Sequence, residues 1–195
     1  MRNKTYKQTL LEESAYNALV DAKAIMQAKR GKKVTFSDVI NEFIKRRVNF
    51  LKLDQDIQDY ISAFVDAEKQ DKDILGIVLF GSVARGTFNS YSDIDILVVV
   101  DKNILDNFYK IEQILKEIEP VREKLLARGL HLYVSEIVLK KEDLTKFRPF
   151  YISLLEEGII LYEKNGILSE FFSNLSKIKY KWVKTGNNLV LEWKK

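Results

Sequence analysis

A chain of 195 residues and 22.8 kDa with 46% hydrophobic residues has room for one good-sized domain or two small ones, and enough apolar surface for a core. Charged residues make up 31%, with only two prolines and eight glycines, which excludes fibrous and disordered classes. The lack of cysteine excludes disulfide frameworks, thiolate nucleophiles, iron–sulfur clusters and thiolate-bound zinc, and a single histidine, His131, excludes multi-histidine metal sites.

The first residues, Met-Arg-Asn-Lys-Thr-Tyr-Lys, lack the apolar stretch of a signal peptide, and the longest apolar runs, 74–80 and 96–100, are too short to cross a bilayer. The expectation is a cytoplasmic protein with no membrane partner. The net charge of +4 is uneven: residues 1–50 carry 11 Lys/Arg against five acids, a net +6, which leaves −2 for the rest. A solvated lysine-rich face is the commoner meaning of such an excess. Its confinement to one quarter of the chain instead suggests a polyanion-binding module joined to a near-neutral domain.

Residues 4–11 read as a short strand, followed by a helix with Ala15, Leu19, Ala22 and Met26 on one stripe. That helix ends near Gly31, where Lys29 and Arg30 fill the last turn. A second helix opens at Thr35, whose hydroxyl caps it with Asp38 three residues on, and Val39, Ile40, Phe43, Ile44 and Val48 supply its apolar face. A strand and two helices within fifty residues bury too little alone, so two copies are expected to pair their strands in a homodimer.

This order resembles the ribbon-helix-helix DNA-binding domains. The resemblance implies a two-stranded ribbon in the major groove of duplex DNA. With Leu11 as the inward anchor, Tyr6, Gln8 and Leu10 point outward to the bases, and Lys4 and Lys7 complete the expected nucleic-acid set. A slip of one residue would turn out Thr5, Lys7 and Thr9 instead. The competing reading is a helical dimerisation hairpin with a solvated basic face and no DNA ligand.

From residue 54 the pattern changes. Ile57, Ile61, Phe64 and Val65 mark a helix, and Ile74 to Phe80 a fully buried strand. There follow Gly81-Ser82-Val83-Ala84-Arg85-Gly86 and, after Thr87-Phe88-Asn89-Ser90-Tyr91-Ser92, the strand Asp93-Ile94-Asp95-Ile96-Leu97-Val98-Val99. A glycine ending a buried strand lets the backbone approach a ligand, Ser82 adds a hydroxyl, and Arg85 adds a bidentate cation suited to phosphate. Asp93 and Asp95, two apart on a strand, project from one face and can share hard cations with phosphate oxygens. Phosphate donors beside paired carboxylates point to metal-assisted phosphoryl chemistry.

Gly-Ser, ten residues and then Asp-x-Asp, between two buried strands, resembles the polymerase-beta-type nucleotidyltransferases, especially the minimal ones. The resemblance implies that Gly81 and Ser82 hold the phosphates of an NTP, and Arg85 and Ser92 are the further candidates for binding it. Asp93 and Asp95 would bind two Mg²⁺, and a nucleoside monophosphate would pass to an acceptor with release of pyrophosphate. It also implies a third carboxylate on a later strand. Glu136, the sole acid between Leu130 and Leu139, is the candidate, both as metal ligand and as the base that takes the acceptor's proton.

The remaining pattern suits that fold: a helical stripe through Ile104, Phe108, Ile111, Leu115 and Ile118, a break at Pro120, and a strand over 130–139. A helix leading into a strand over 148–162, a helix through Phe171, Phe172 and Leu175, and a hairpin around Gly186-Asn187 complete it. His131 reads as a packed residue without a catalytic role, and Trp182 and Trp193 as core or hairpin-face residues. The expectation is an α/β (α+β) chain: a strand-helix-helix module over 1–53, then a nucleotidyltransferase-type mixed, mostly antiparallel sheet with flanking helices over 54–195. By analogy with the minimal enzymes, the acceptor is a partner toxin or a tRNA end, with DNA binding serving autoregulation. The alternative is a non-catalytic, nucleotide-sensing or oligomerising DNA-binding regulator.

Overall fold

The computed structural model describes residues 53–102, 104–185 and 188–194, residues 33–41, and Tyr16, Leu19, Val20, Lys23, Ala24, Met26 and Gln27. The chain divides into two compact units, Met1–Glu42 and Phe43–Lys195. The expected strand 4–11, with Lys4, Tyr6, Lys7, Gln8 and Leu10, lies outside the described residues. So do residues 42–52, between that division and the expected boundary at 53/54.

In the first unit, residues 36–41 are helical, and the reciprocal cap read from the sequence is present. Thr35 Oγ1 accepts the Asp38 N–H at 3.1 Å, and Asp38 Oδ2 accepts the Thr35 N–H at 2.8 Å. The preceding helical positions meet this segment at Phe36, whose ring centroid lies 5.8 Å from that of Tyr16 and 4.7 Å from Lys23 Nζ. Val34 and Val39 are buried, but Ile40, expected on the apolar face, is 41% exposed. Adjacent helical residues stand about 100° apart, so Val39 and Ile40 cannot both face one narrow core.

The second unit runs α1 (Gln55–Glu68), β1 (Ile74–Phe80), α2 (Gly81–Arg85), β2 (Asp93–Val100), α3 (Ile104–Glu117), α4 (Glu119–Ala127) and β3 (Tyr133–Lys140). A 3₁₀ turn (Lys141–Thr145), α5 (Tyr151–Glu157), β4 (Ile159–Glu163), α6 (Ile167–Leu175), β5 (Lys179–Thr185) and β6 (Asn188–Lys194) follow. Strands β3-β2-β1-β4 form one mixed sheet. Its β1–β2 and β1–β4 pairs are antiparallel and β2–β3 is parallel, with α3 and α4 supplying the crossover that a parallel pair requires. Strands β5 and β6 pair as a separate antiparallel ribbon.

The sheet is buried on both faces, which is why β1 and β2 read as near-continuous apolar runs. One face carries Ile94, Ile96, Val98 and Val100 against Ile57, Ile61 and Phe64 of α1, Ile111 of α3 and Leu125 of α4. The other carries Val78, Leu97 and Val99 against Tyr151 and Leu154 of α5 and Leu168 and Phe171 of α6. The two-residue period of β2 therefore assigns Asp93 and Asp95 to the α5 side. Local anchors hold the frame: Asp54 caps α1 through the Asp56 N–H at 3.0 Å, and Arg128 grips the same carboxylate at 2.6 and 2.7 Å.

Candidate active site

The site forms where β1 ends. Phe80, its last residue, pairs with Asp95, so the turn that follows passes directly over the Asp-x-Asp segment. Gly81 takes the left-handed conformation at φ +73°, and a β-carbon there would stand 1.9 Å from Asp95 Oδ2. Only glycine fits both the dihedral and the space. The chain then makes the single turn of α2, in which Val83 and Ala84 are buried while Arg85 is exposed. Gly86 ends it in the left-handed conformation, its N–H returning to Val83 O at 3.1 Å.

The loop into β2 is built on side chains. Ser92 Oγ accepts the Asn89 N–H at 2.9 Å, and Asn89 Oδ1 accepts the Tyr91 N–H at 2.8 Å. Ser92, expected to bind nucleotide, thus braces the loop that delivers Asp93. The Ser82 hydroxyl makes no hydrogen bond within the described residues.

Asp93 is exposed and Asp95 half-buried, on one face of β2. Burial first, and then the neighbouring Asp93, push the Asp95 carboxyl above the usual carboxylate range; Arg85 pulls it down and Glu157 pushes it up. Two carboxylates driven against each other favour a bound cation. Among the described residues, no three His, Asp or Glu side chains gather to hold a metal ion by themselves. A pair of hard oxygen donors fits Mg²⁺ in the form that keeps waters and binds through substrate phosphates, not in an all-protein cage.

Glu136, the expected third ligand, is not brought to this pair. The parallel register sets Glu136 beside Ile96 and Ser135 beside Asp95, and paired residues share a face. Glu136 therefore lies on the α1 side of the sheet, where its negative charge bears on Glu68, and Ser135 takes the place next to Asp95. A one-residue difference in register separates the two outcomes. His131 precedes β3 instead of lying within it. It is exposed, its ring stacked on Tyr91 at 5.0 Å and 2°, and its backbone N–H donates to Ser90 O at 2.6 Å.

One contributor escaped the sequence reading. Glu157, the last residue of α5, accepts the Gly81 N–H at 3.0 Å through Oε1 and pairs with Arg85 through Oε2. An acid closing a helix opposes the helix dipole, and that local misfit is the signal that such a residue has a distant cationic or N–H partner.

The nucleotidyltransferase domain family model matches residues 61–161, which contain all of these groups. Two proteins of Methanocaldococcus jannaschii, both named as proposed protein adenylyltransferases, are similar. One is 29% identical over 57% of this chain and 74% of its own length, and the other 36% identical over 52% and 94%. Among solved structures, a toxin–antitoxin complex with AMP-PNP aligns at a TM-score of 0.37 and 17% identity, covering 60% of this chain and 79% of that one. A proposed nucleotidyltransferase from Sulfolobus solfataricus aligns at 0.34 and 20%, covering 63% and 88%.

Proposed function

The chain belongs to the nucleotidyltransferase domain family and is a nucleotidyl-transferring enzyme, and on that premise we propose that it moves a nucleoside monophosphate from an NTP to a hydroxyl or amine of a partner protein. The observation that carries this reading is the contact of Gly81 with Asp95, which sets phosphate donors against a carboxylate pair. The Ser82 hydroxyl and the Arg85 guanidinium hold the β and γ phosphates at the Gly81 turn. Asp93 and Asp95 would hold Mg²⁺, which when bound would offset the charge on the reacting phosphate. As the acceptor's oxygen or nitrogen bonds to the α-phosphorus and gives up its proton to water, the bond to the bridging oxygen breaks and pyrophosphate leaves with that electron pair. No third carboxylate is assigned.

A protein acceptor is favoured over a tRNA end by the names of the two archaeal relatives, and a toxin with its operon is the setting that the sequence resemblance suggests. The test is co-purification of the full chain with its cellular partners, incubation with each labelled NTP and Mg²⁺, and mass spectrometry of every protein and RNA in the sample. An NMP on one protein, linked as a phosphodiester to a hydroxyl or as a phosphoramidate to an amine, supports the reading, and label found only on RNA redirects it.

The first unit is proposed to bind duplex DNA as a homodimer. The +6 charge of residues 1–50 and the capped second helix support this, as does the apolar surface left open at Tyr16, Val20 and Ile40, which are 50%, 38% and 41% exposed. Affinity for duplex DNA should then fall with salt at a log–log slope of about −0.9 per phosphate neutralised, and replacing Lys4 and Lys7 by Ala should shallow that slope.

A further inference from the structure

A single carboxylate ties the phosphate turn together from below. Glu157 receives the Gly81 N–H and the Arg85 guanidinium, partners 76 and 72 residues away, on its two oxygens. Exposure orders the pair in depth: the Glu157 side chain is 14% exposed and that of Arg85 47%. The carboxylate forms the floor and the guanidinium the outer layer.

The floor is fixed. The Gly158 N–H closes α5 onto Leu154 O at 2.8 Å, and a β-carbon at Gly158 would stand 2.4 Å from that oxygen and 3.1 Å from Val78 Cγ1. The segment is therefore packed closely against β1 at Gly158. Arg85 spends one N–H on Glu157, and its other guanidinium N–H groups have no hydrogen-bond partner among the described residues.

Resting on the nucleotidyl-transfer reading, we propose that Glu157 is a positioning residue for the triphosphate: it clamps Arg85 to the Gly81 turn so that the outward donors of the guanidinium meet the phosphates. A free arginine must give up rotamer entropy to take such a pose, and prior clamping spares the complex that loss. The same contacts could be read as a plug, a carboxylate standing in for phosphate on its donors until displaced. The half-buried seat of Glu157, with Gly158 behind it packed on Val78, favours the clamp, and the two readings differ in sign, because removing a clamp weakens nucleotide binding and removing a plug tightens it.

The experiment is calorimetric titration of the full chain with Mg·ATP and, separately, with tripolyphosphate, in wild type, Glu157→Gln, Arg85→Ala and the double variant. Glutamine keeps an oxygen for the Gly81 N–H but loses the ionic hold on Arg85. Glu157→Gln should weaken both ligands about tenfold in the wild-type background and less than twofold in the Arg85→Ala background, the non-additivity of residues acting as a unit. A merely structural role would weaken binding equally in both backgrounds. That result, unchanged affinity, or tighter binding overturns the proposal. Should Glu157→Gln fail to fold, Glu157→Asp, which keeps the charge but shortens its reach, is compared across the same two backgrounds with the same criteria. A wild-type chain that binds neither ligand overturns the nucleotide reading itself, and this inference with it.

Discussion

Asp95 Oδ2 occupies the space that a β-carbon on Gly81 would need, 1.9 Å from its position, so the Gly81 turn and Asp95 are one packed unit. Gly81→Ala must both strain a left-handed backbone and displace Asp95. The expected loss is on the order of 2–3 kcal/mol in urea melts, together with loss of NMP transfer. Normal stability with normal turnover would mean that the turn can rearrange freely.

If these carboxylates serve the substrate's cations and not the core, as proposed, Asp93→Asn and Asp95→Asn should each lower transfer at least about a hundredfold while leaving the fold intact. Asp95 is held above the usual carboxylate range, chiefly by burial, so removing its charge at pH 8 should leave the protein as stable as wild type or more so. Thermal melts beside pyrophosphate assays separate the two effects.

Much of this arrangement is legible in the sequence. The buried strand, the glycine turn, the Asp-x-Asp strand and the break before Pro120 are local patterns, and each element stands within a few residues of its expected place. The reciprocal cap at Thr35 and Asp38 is local in the same way. What stays hidden depends on pairing between distant segments. The β2–β3 register decides that Ser135 and not Glu136 flanks Asp95, and a strand read alone does not state its register. Glu157 reaches Gly81 across 76 residues, a contact that only tertiary packing creates.

Glu68 sets a pH dependence of stability. It is 1% exposed with Oε1 unpartnered among the described residues, and burial first, then Asp71 and Glu136, push its carboxyl up to about 7 against a partial pull from Lys110. The folded state therefore keeps this proton at pH values where the unfolded chain has released it. The stabilisation is complete below the ordinary value of 4.5 and is lost as pH rises through about 7. Between pH 4.5 and 8 this group should remove on the order of 2–3 kcal/mol, and Glu68→Gln should flatten that part of the curve. Urea melts at pH 5 and pH 8 check it, and an unchanged slope in the variant would assign the dependence elsewhere.

Glu136 lies on that same face, away from Asp93 and Asp95. Glu136→Gln should leave transfer within about twofold of wild type while slightly lowering the pH at which Glu68 ionises, since its charge bears on Glu68. A hundredfold fall in turnover at unchanged stability would return Glu136 to the metal site.

The central claim, that Asp93 and Asp95 drive NMP transfer from an NTP bound at Gly81, Ser82 and Arg85, is tested most directly by transfer of α-³²P label from ATP. Wild type and the Asp93→Asn/Asp95→Asn double variant, each incubated with Mg²⁺ and an extract of the source cells, are compared by gel and by pyrophosphate release. The account expects Mg²⁺-dependent labelling of a protein band with equimolar pyrophosphate in wild type, and neither in the double variant. Labelling that persists undiminished in the double variant would contradict it.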